Sequence, residues 1–90
     1  MGKYTVVISS EAKRHLVLYY KSGDKIVIKR IEQIFEELGE HPKIGIGKPE
    51  RLKHRLSGLW SRRIDEKNRM IYKIDEMIIT VTVVSAMGHY

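Results

Sequence analysis

The apolar residues of this chain change period part-way along, and that change confines it to a fold of two unlike halves. Up to Leu38 they recur at helical spacing: Ala12, Leu16, Tyr19 and Tyr20, with His15 on the same face, then Val27, Ile28, Ile31, Ile34, Phe35 and Leu38. From Leu59 onward they alternate as in strands with one buried face. Between the halves, Lys43 to Pro49 holds two glycines and a proline, too broken for regular structure, so a loop brings Glu50 to the surface. Ahead of the helices, Tyr4 to Ile8 is β-branched and aromatic and predicts a short strand. Ser9 or Ser10 and Asp24 suit the N-caps of the two helices. Lys21-Ser22-Gly23 breaks the first helix, and Gly39 with Pro42 soon after ends the second, giving two antiparallel helices on a short link.

In the second half, Arg51 to Leu56 reads as a short strand or edge, turned by Ser57-Gly58. Leu59 to Asp65 and Arg69 to Ile74 form a hairpin around Glu66-Lys67-Asn68, Asn68 being a residue that tolerates positive φ. A three-residue loop sets Asp65 opposite Arg69, Arg63 opposite Ile71 and Ser61 opposite Lys73. The other face carries Trp60, Arg62, Ile64, Met70, Tyr72 and Ile74 and packs on the helices, leaving Arg63, Arg69 and Lys73 on an exposed cationic surface. A slip of one residue would bury those cations. After a turn at Asp75-Glu76, Met77 to Val84 predicts a largely buried final strand.

Ninety residues make one domain, 1–90, with no cysteine to staple it. Its first twenty residues lack a signal-peptide pattern and no apolar run is long enough to span a bilayer, so a cytoplasmic protein without membrane contact is expected. The charge is concentrated. Between Lys43 and Lys73 there are ten Lys/Arg against three Asp/Glu, whereas the rest of the chain has seven against eight. Such segregation, interleaved with Trp60 and Tyr72, points to a polyanion-binding surface. No His/Asp/Glu set has metal-ligand spacing, so no metal or other cofactor is expected.

Cutting RNA through its own 2′-hydroxyl needs a base, a cation for the phosphate and an acid for the leaving oxygen. Glu50, an arginine and His89 can supply all three. Each has a competing structural role: Glu50 in a surface salt bridge, Arg63 and Arg69 on a solvated strand face, His89 as an idle penultimate residue and Tyr90 as an anchor on the core.

At Gly47-Lys48-Pro49-Glu50, Leu52-Lys53-His54, Leu56-Ser57-Gly58, Trp60-Ser61-Arg62-Arg63-Ile64, Asn68-Arg69-Met70-Ile71-Tyr72 and His89-Tyr90, the chain resembles the YoeB/Txe-type toxins of the RelE superfamily. The resemblance implies an α+β, microbial-RNase-like fold: two N-terminal antiparallel helices packed on a small twisted antiparallel sheet. It also implies a ribosome-dependent, metal-independent endoribonuclease that cleaves mRNA in the A site. Glu50 matches the general base, Arg69 the phosphate-stabilising arginine and His89 the general acid. Tyr90 matches the aromatic that positions substrate, while Lys48, Lys53 and Arg63 match surrounding basic positions. The implied partners are mRNA on the ribosome, with rRNA contacts, and a cognate YefM/Axe-like antitoxin; pairing of two copies is left open. One departure is Met87-Gly88 ahead of the histidine, where bulkier or charged residues are expected to stiffen the tail. The rival reading is a non-catalytic RNA- or ribosome-binding inhibitor of translation, or a co-regulator that acts by binding an antitoxin.

Overall fold

The computed structural model describes residues 3–88. Strand β1 (Thr5–Ile8) leads into helix α1 (Ser10–Ser22), capped by Ser9, whose hydroxyl accepts the Ala12 N–H at 3.1 Å. Helix α2 (Lys25–Glu40) starts from Asp24, whose carboxylate accepts the Val27 N–H at 3.2 Å. Each cap is worth about 1 kcal/mol. Gly39 does not end α2 as expected. The helix runs one residue further, and Gly39 instead lies beside β1, its carbonyl accepting the Tyr4 N–H at 2.8 Å.

Four more strands follow: β2 (Glu50–Arg51), β3 (Leu59–Arg63), β4 (Arg69–Asp75) and β5 (Thr80–Ser85), with a 3-10 turn at His54–Leu56. Of the stretch Arg51 to Leu56, only its first residue is strand. The five strands form one sheet in the order β1-β5-β4-β3-β2. The α+β architecture is as expected, but the sheet is mixed: β1 pairs parallel with β5, and the other pairings are antiparallel. The chain between β1 and β5 includes both helices, long enough for the crossover a parallel pair requires.

The hairpin register differs by two residues from the predicted one. Arg63 faces Arg69, Ser61 faces Ile71 and Leu59 faces Lys73. A shift of two preserves which side chains share a face, so the division into a helix-facing and an open face stands. The loop is longer than a three-residue turn because the Asp65 carboxylate takes the backbone N–H groups of Lys67 and Asn68, at 2.8 and 2.7 Å. The final strand also starts later than its apolar run. Met77, Ile78 and Ile79 are exposed in a turn held by the Asp75 carboxylate, and Ile79 has φ +49°.

The core lies between the helices and the inner face of the sheet. Ala12 and Tyr19 from α1 and Ile31, Ile34 and Leu38 from α2 meet Ile64, Met70, Tyr72, Val81, Val83 and Ala86. Tyr20 does not join them; it is half exposed and bonds Glu32 at 3.3 Å.

One inner-face residue is charged. Arg62 is fully buried, and its guanidinium donates to Glu37 Oε1 (2.6 Å), the carbonyls of Ile44 (2.7 Å), His41 (3.0 Å) and Ile46 (3.3 Å), and Tyr72 Oη (3.2 Å). Tyr72 Oη in turn donates to the Pro42 carbonyl at 2.7 Å. The loop after α2 is therefore wound around a buried cation. It has no apolar core of its own.

Candidate active site

That winding positions Glu50. Past Ile46 the loop docks on β3, where the Arg63 N–H donates to the Gly47 carbonyl at 2.6 Å. Gly47 has φ +80°, and a Cβ there would lie 2.7 Å from the Arg63 carbonyl, so only glycine fits this approach. Two residues after Lys48, which also has positive φ, the chain enters β2, with Glu50 opposite Ser61 and Arg51 opposite Trp60. The Leu52 N–H then bonds the Leu59 carbonyl at 2.9 Å. Glu50 is thus fixed on the open face, at the sheet's edge.

Arg69 opens β4 two strands away. Its Nη1 donates to Glu50 Oε1 at 3.1 Å and to Ser61 Oγ at 3.3 Å, reaching over the intervening strand. The Arg69 side chain is 22% exposed and that of Glu50 59%. An ion pair this exposed adds at most about 1 kcal/mol to stability. Directly opposite Arg69 stands Arg63, exposed, and two cations facing each other across a strand pair repel. The face therefore carries more positive charge than Glu50 offsets.

Lys48 and Lys53 are both exposed beside β2, Lys53 at the start of the 3-10 turn. The two aromatics that interleave with the cations along the sequence lie on the opposite face, as the strand alternation predicts. Tyr72 is buried, and Trp60 lies on the other side of the sheet with the Arg51 guanidinium 5.9 Å from its ring centre.

The tail reaches the same place. The Arg69 N–H donates to the Gly88 carbonyl at 2.9 Å, and the Gly88 N–H donates to Asn68 Oδ1 at 3.0 Å. Upstream, Tyr19 Oη donates to the Ala86 carbonyl (2.6 Å) and the Ala86 N–H to His15 Nδ1 (3.1 Å). Met87-Gly88 is thus tied down by hydrogen bonds on both sides and by packing of Met87 against the core. Asn68 does not adopt positive φ, and its role lies in its side-chain amide. His89 and Tyr90 lie outside the described residues. Among those described, no group of three or more His, Asp or Glu is arranged to hold a metal ion, and no helix is long and apolar enough to cross a membrane.

A small helix-on-sheet domain whose open face pairs a carboxylate with an arginine amid surplus cations matches one class of known protein in both sequence and fold. The family model of the YoeB-like toxin of bacterial type II toxin–antitoxin systems matches residues 10–90. Toxin YoeB of Escherichia coli O6:H1 is 43% identical over 70 residues, covering 78% of this chain and 83% of that protein. The structure of the YoeB dimer from Staphylococcus aureus superposes with a TM-score of 0.80 at 30% identity, covering 98% of this chain and 99% of that one. The YoeB–YefM complex from the same organism gives 0.78 at 30%, covering 97% and 98%. The chain belongs to the YoeB family, toxins of type II toxin–antitoxin systems.

Proposed function

We propose that this toxin is a metal-independent endoribonuclease that cuts mRNA in the ribosomal A site. The observation that carries the reading is the 3.1 Å contact between Glu50 and Arg69 on an open, cationic face. A phosphate bound at Arg69 competes with Glu50 for the guanidinium and frees the carboxylate oxygen for a ribose 2′-hydroxyl. Glu50 takes the hydroxyl proton, and the 2′-oxygen attacks the adjacent phosphorus in line. Arg69, supported by Arg63, stabilises the charge that builds on the phosphoryl oxygens, an effect of about 3 kcal/mol for one such donor. The bond to the 5′-oxygen breaks as His89 protonates it, leaving a 2′,3′-cyclic phosphate and a 5′-hydroxyl. Imidazole has the ordinary pKa for that task. Tyr90 stacks on a base, and Lys48 and Lys53 hold flanking phosphates.

Ribosome dependence fits a site whose base, Glu50, is well exposed at the edge of the sheet, so that orientation of the message comes from outside. The partner set follows the relatives: an acidic YefM-like antitoxin segment over the cationic face, and self-association as in the Staphylococcus dimer. The substrate makes the site of action the cytoplasm.

Primer extension on translated message tests the reading. Discrete new ends are expected with the wild-type chain and only a small residue of that signal with Glu50→Ala, Arg69→Ala or His89→Ala, each still folded by circular dichroism. A 2′-deoxy linkage at the cut site should resist. Arrested translation without new ends would replace this reading with inhibition by occupancy; antitoxin binding without any arrest would make the chain a co-regulator.

A further inference from the structure

We infer that Asn68, oriented by Asp65, is a positioning residue that clamps the tail at Gly88 and so aims the residue that follows it, His89. The inference rests on the nuclease reading for its consequence, though not for the clamp itself. The Asn68 amide is used at both ends. Its NH2 donates to the two Asp65 carboxylate oxygens at 3.1 and 3.2 Å, which leaves its oxygen free to accept the Gly88 N–H. Asp65 is itself held by the backbone N–H groups of Lys67 and Asn68. Burial raises the Asp65 pKa, but those bonds and the Asn68 amide outweigh it and keep the carboxyl below its usual range, so it stays an acceptor.

The next residue, Arg69, completes the clamp with its backbone N–H on the Gly88 carbonyl while its side chain reaches Glu50. A single dipeptide where the β3–β4 loop enters β4 therefore fixes both the phosphate-binding guanidinium and the chain immediately before the proposed acid. Gly88 has φ +96° with nothing within 4 Å of a Cβ position, so this glycine is held by its backbone conformation and these two bonds, while Met87 before it packs on the core.

The test combines amide exchange with single-turnover cleavage of ribosome-bound message at saturating toxin. Asn68→Ala should speed hydrogen exchange at the Gly88 amide about tenfold, the loss of one hydrogen bond. It should slow cleavage about 100-fold, as displacement of a catalytic group by about 1 Å does, with the half-saturating concentration unchanged. In a His89→Ala background the same substitution should cost under about twofold, because it acts through that side chain. Asn68→Asp should be impaired through repulsion with Asp65, and the exchanged pair Asp65→Asn/Asn68→Asp should recover, since the two side chains then swap donor and acceptor roles. Unchanged Gly88 exchange, an equal loss in the His89→Ala background, or no rescue by the exchanged pair would each overturn the inference. Failure of the nuclease reading looks different: the wild-type chain cuts nothing while Gly88 exchange still responds to Asn68.

Discussion

Replacing Arg62 with Met, similar in length but without charge or donors, should be the most destabilising single change in the sheet. In the native protein five hydrogen bonds converge on a guanidinium with no solvent exposure. Methionine leaves the Glu37 carboxylate without its cation and strips the carbonyls of His41, Ile44 and Ile46 of their donor. Breaking a buried pair by removing one partner costs about 3–5 kcal/mol. Water reaching the exposed outer side of the loop holds the estimate there rather than at the sum of the separate bonds. A 90-residue chain unfolds with an entropy of about 0.19 kcal/mol/K, so the melting temperature should fall by about 15–25 °C. Arg62→Lys should lose at least half as much, because one ammonium cannot serve acceptors spread around a planar fork. Adding Glu37→Gln to Arg62→Met should recover part of the loss by removing the orphaned charge. Thermal unfolding at neutral pH, followed by circular dichroism at low and high salt, measures all three. A fall under 5 °C for Arg62→Met, or no recovery in the double variant, would refute the view that this cation organises the loop that carries Glu50.

Stability should decline in acid in part through two partly buried carboxylates, Glu37 and Asp65, held below their ordinary pKa. In both, burial raises the value but is outweighed, for Glu37 by the Ile46 N–H and by Arg62, for Asp65 by Lys67 and Asn68. Their stabilisation is present above pH 4.5 and 3.8 respectively and is lost as pH falls through the lower folded values; urea midpoints should show this decline, and Glu37→Gln should flatten it. In alkali one such group is Tyr19, pushed up to about 12 by burial and then by the charge of Asp65. It stays neutral in the folded protein while the unfolded chain ionises near pH 10, so its contribution is full below pH 10 and lost between pH 10 and 12. Tyr19→Phe should remove that part of the decline and also loosen Ala86, which exchange at neutral pH would detect.

The helices were legible because a stripe at three- and four-residue spacing has few other ways to be buried, and because Ser9 and Asp24 cap locally. The faces of the hairpin were legible for a similar reason: any arrangement that exposes Arg63 and Lys73 turns Met70 and Tyr72 inward. Its register was not, since Asp65 spends its carboxylate on the loop's own backbone. Met77 to Ile79 look like strand by composition, but Asp75 captures the N–H groups of Met77 and Ile78 and turns the chain. The parallel pairing of β1 with β5 joins segments some seventy-five residues apart, and no local pattern encodes it. Arg62 was assigned to the correct face without its significance, because three of its partners are carbonyls sixteen to twenty-one residues away on a loop that seemed only irregular, and its counter-ion Glu37 is on α2. The convergence of Glu50 with Arg69 came from family resemblance; strand alternation alone could only put Arg69 on the open face.

Arg63 and Arg69, paired across adjacent strands, leave this face short of negative charge whenever it is empty. On the nuclease reading proposed above, a bound anion offsets that shortage. Message and an acidic inhibitory segment would relieve the same shortage, so each should raise the melting temperature, most of all in dilute salt, and neither should add to the other's effect.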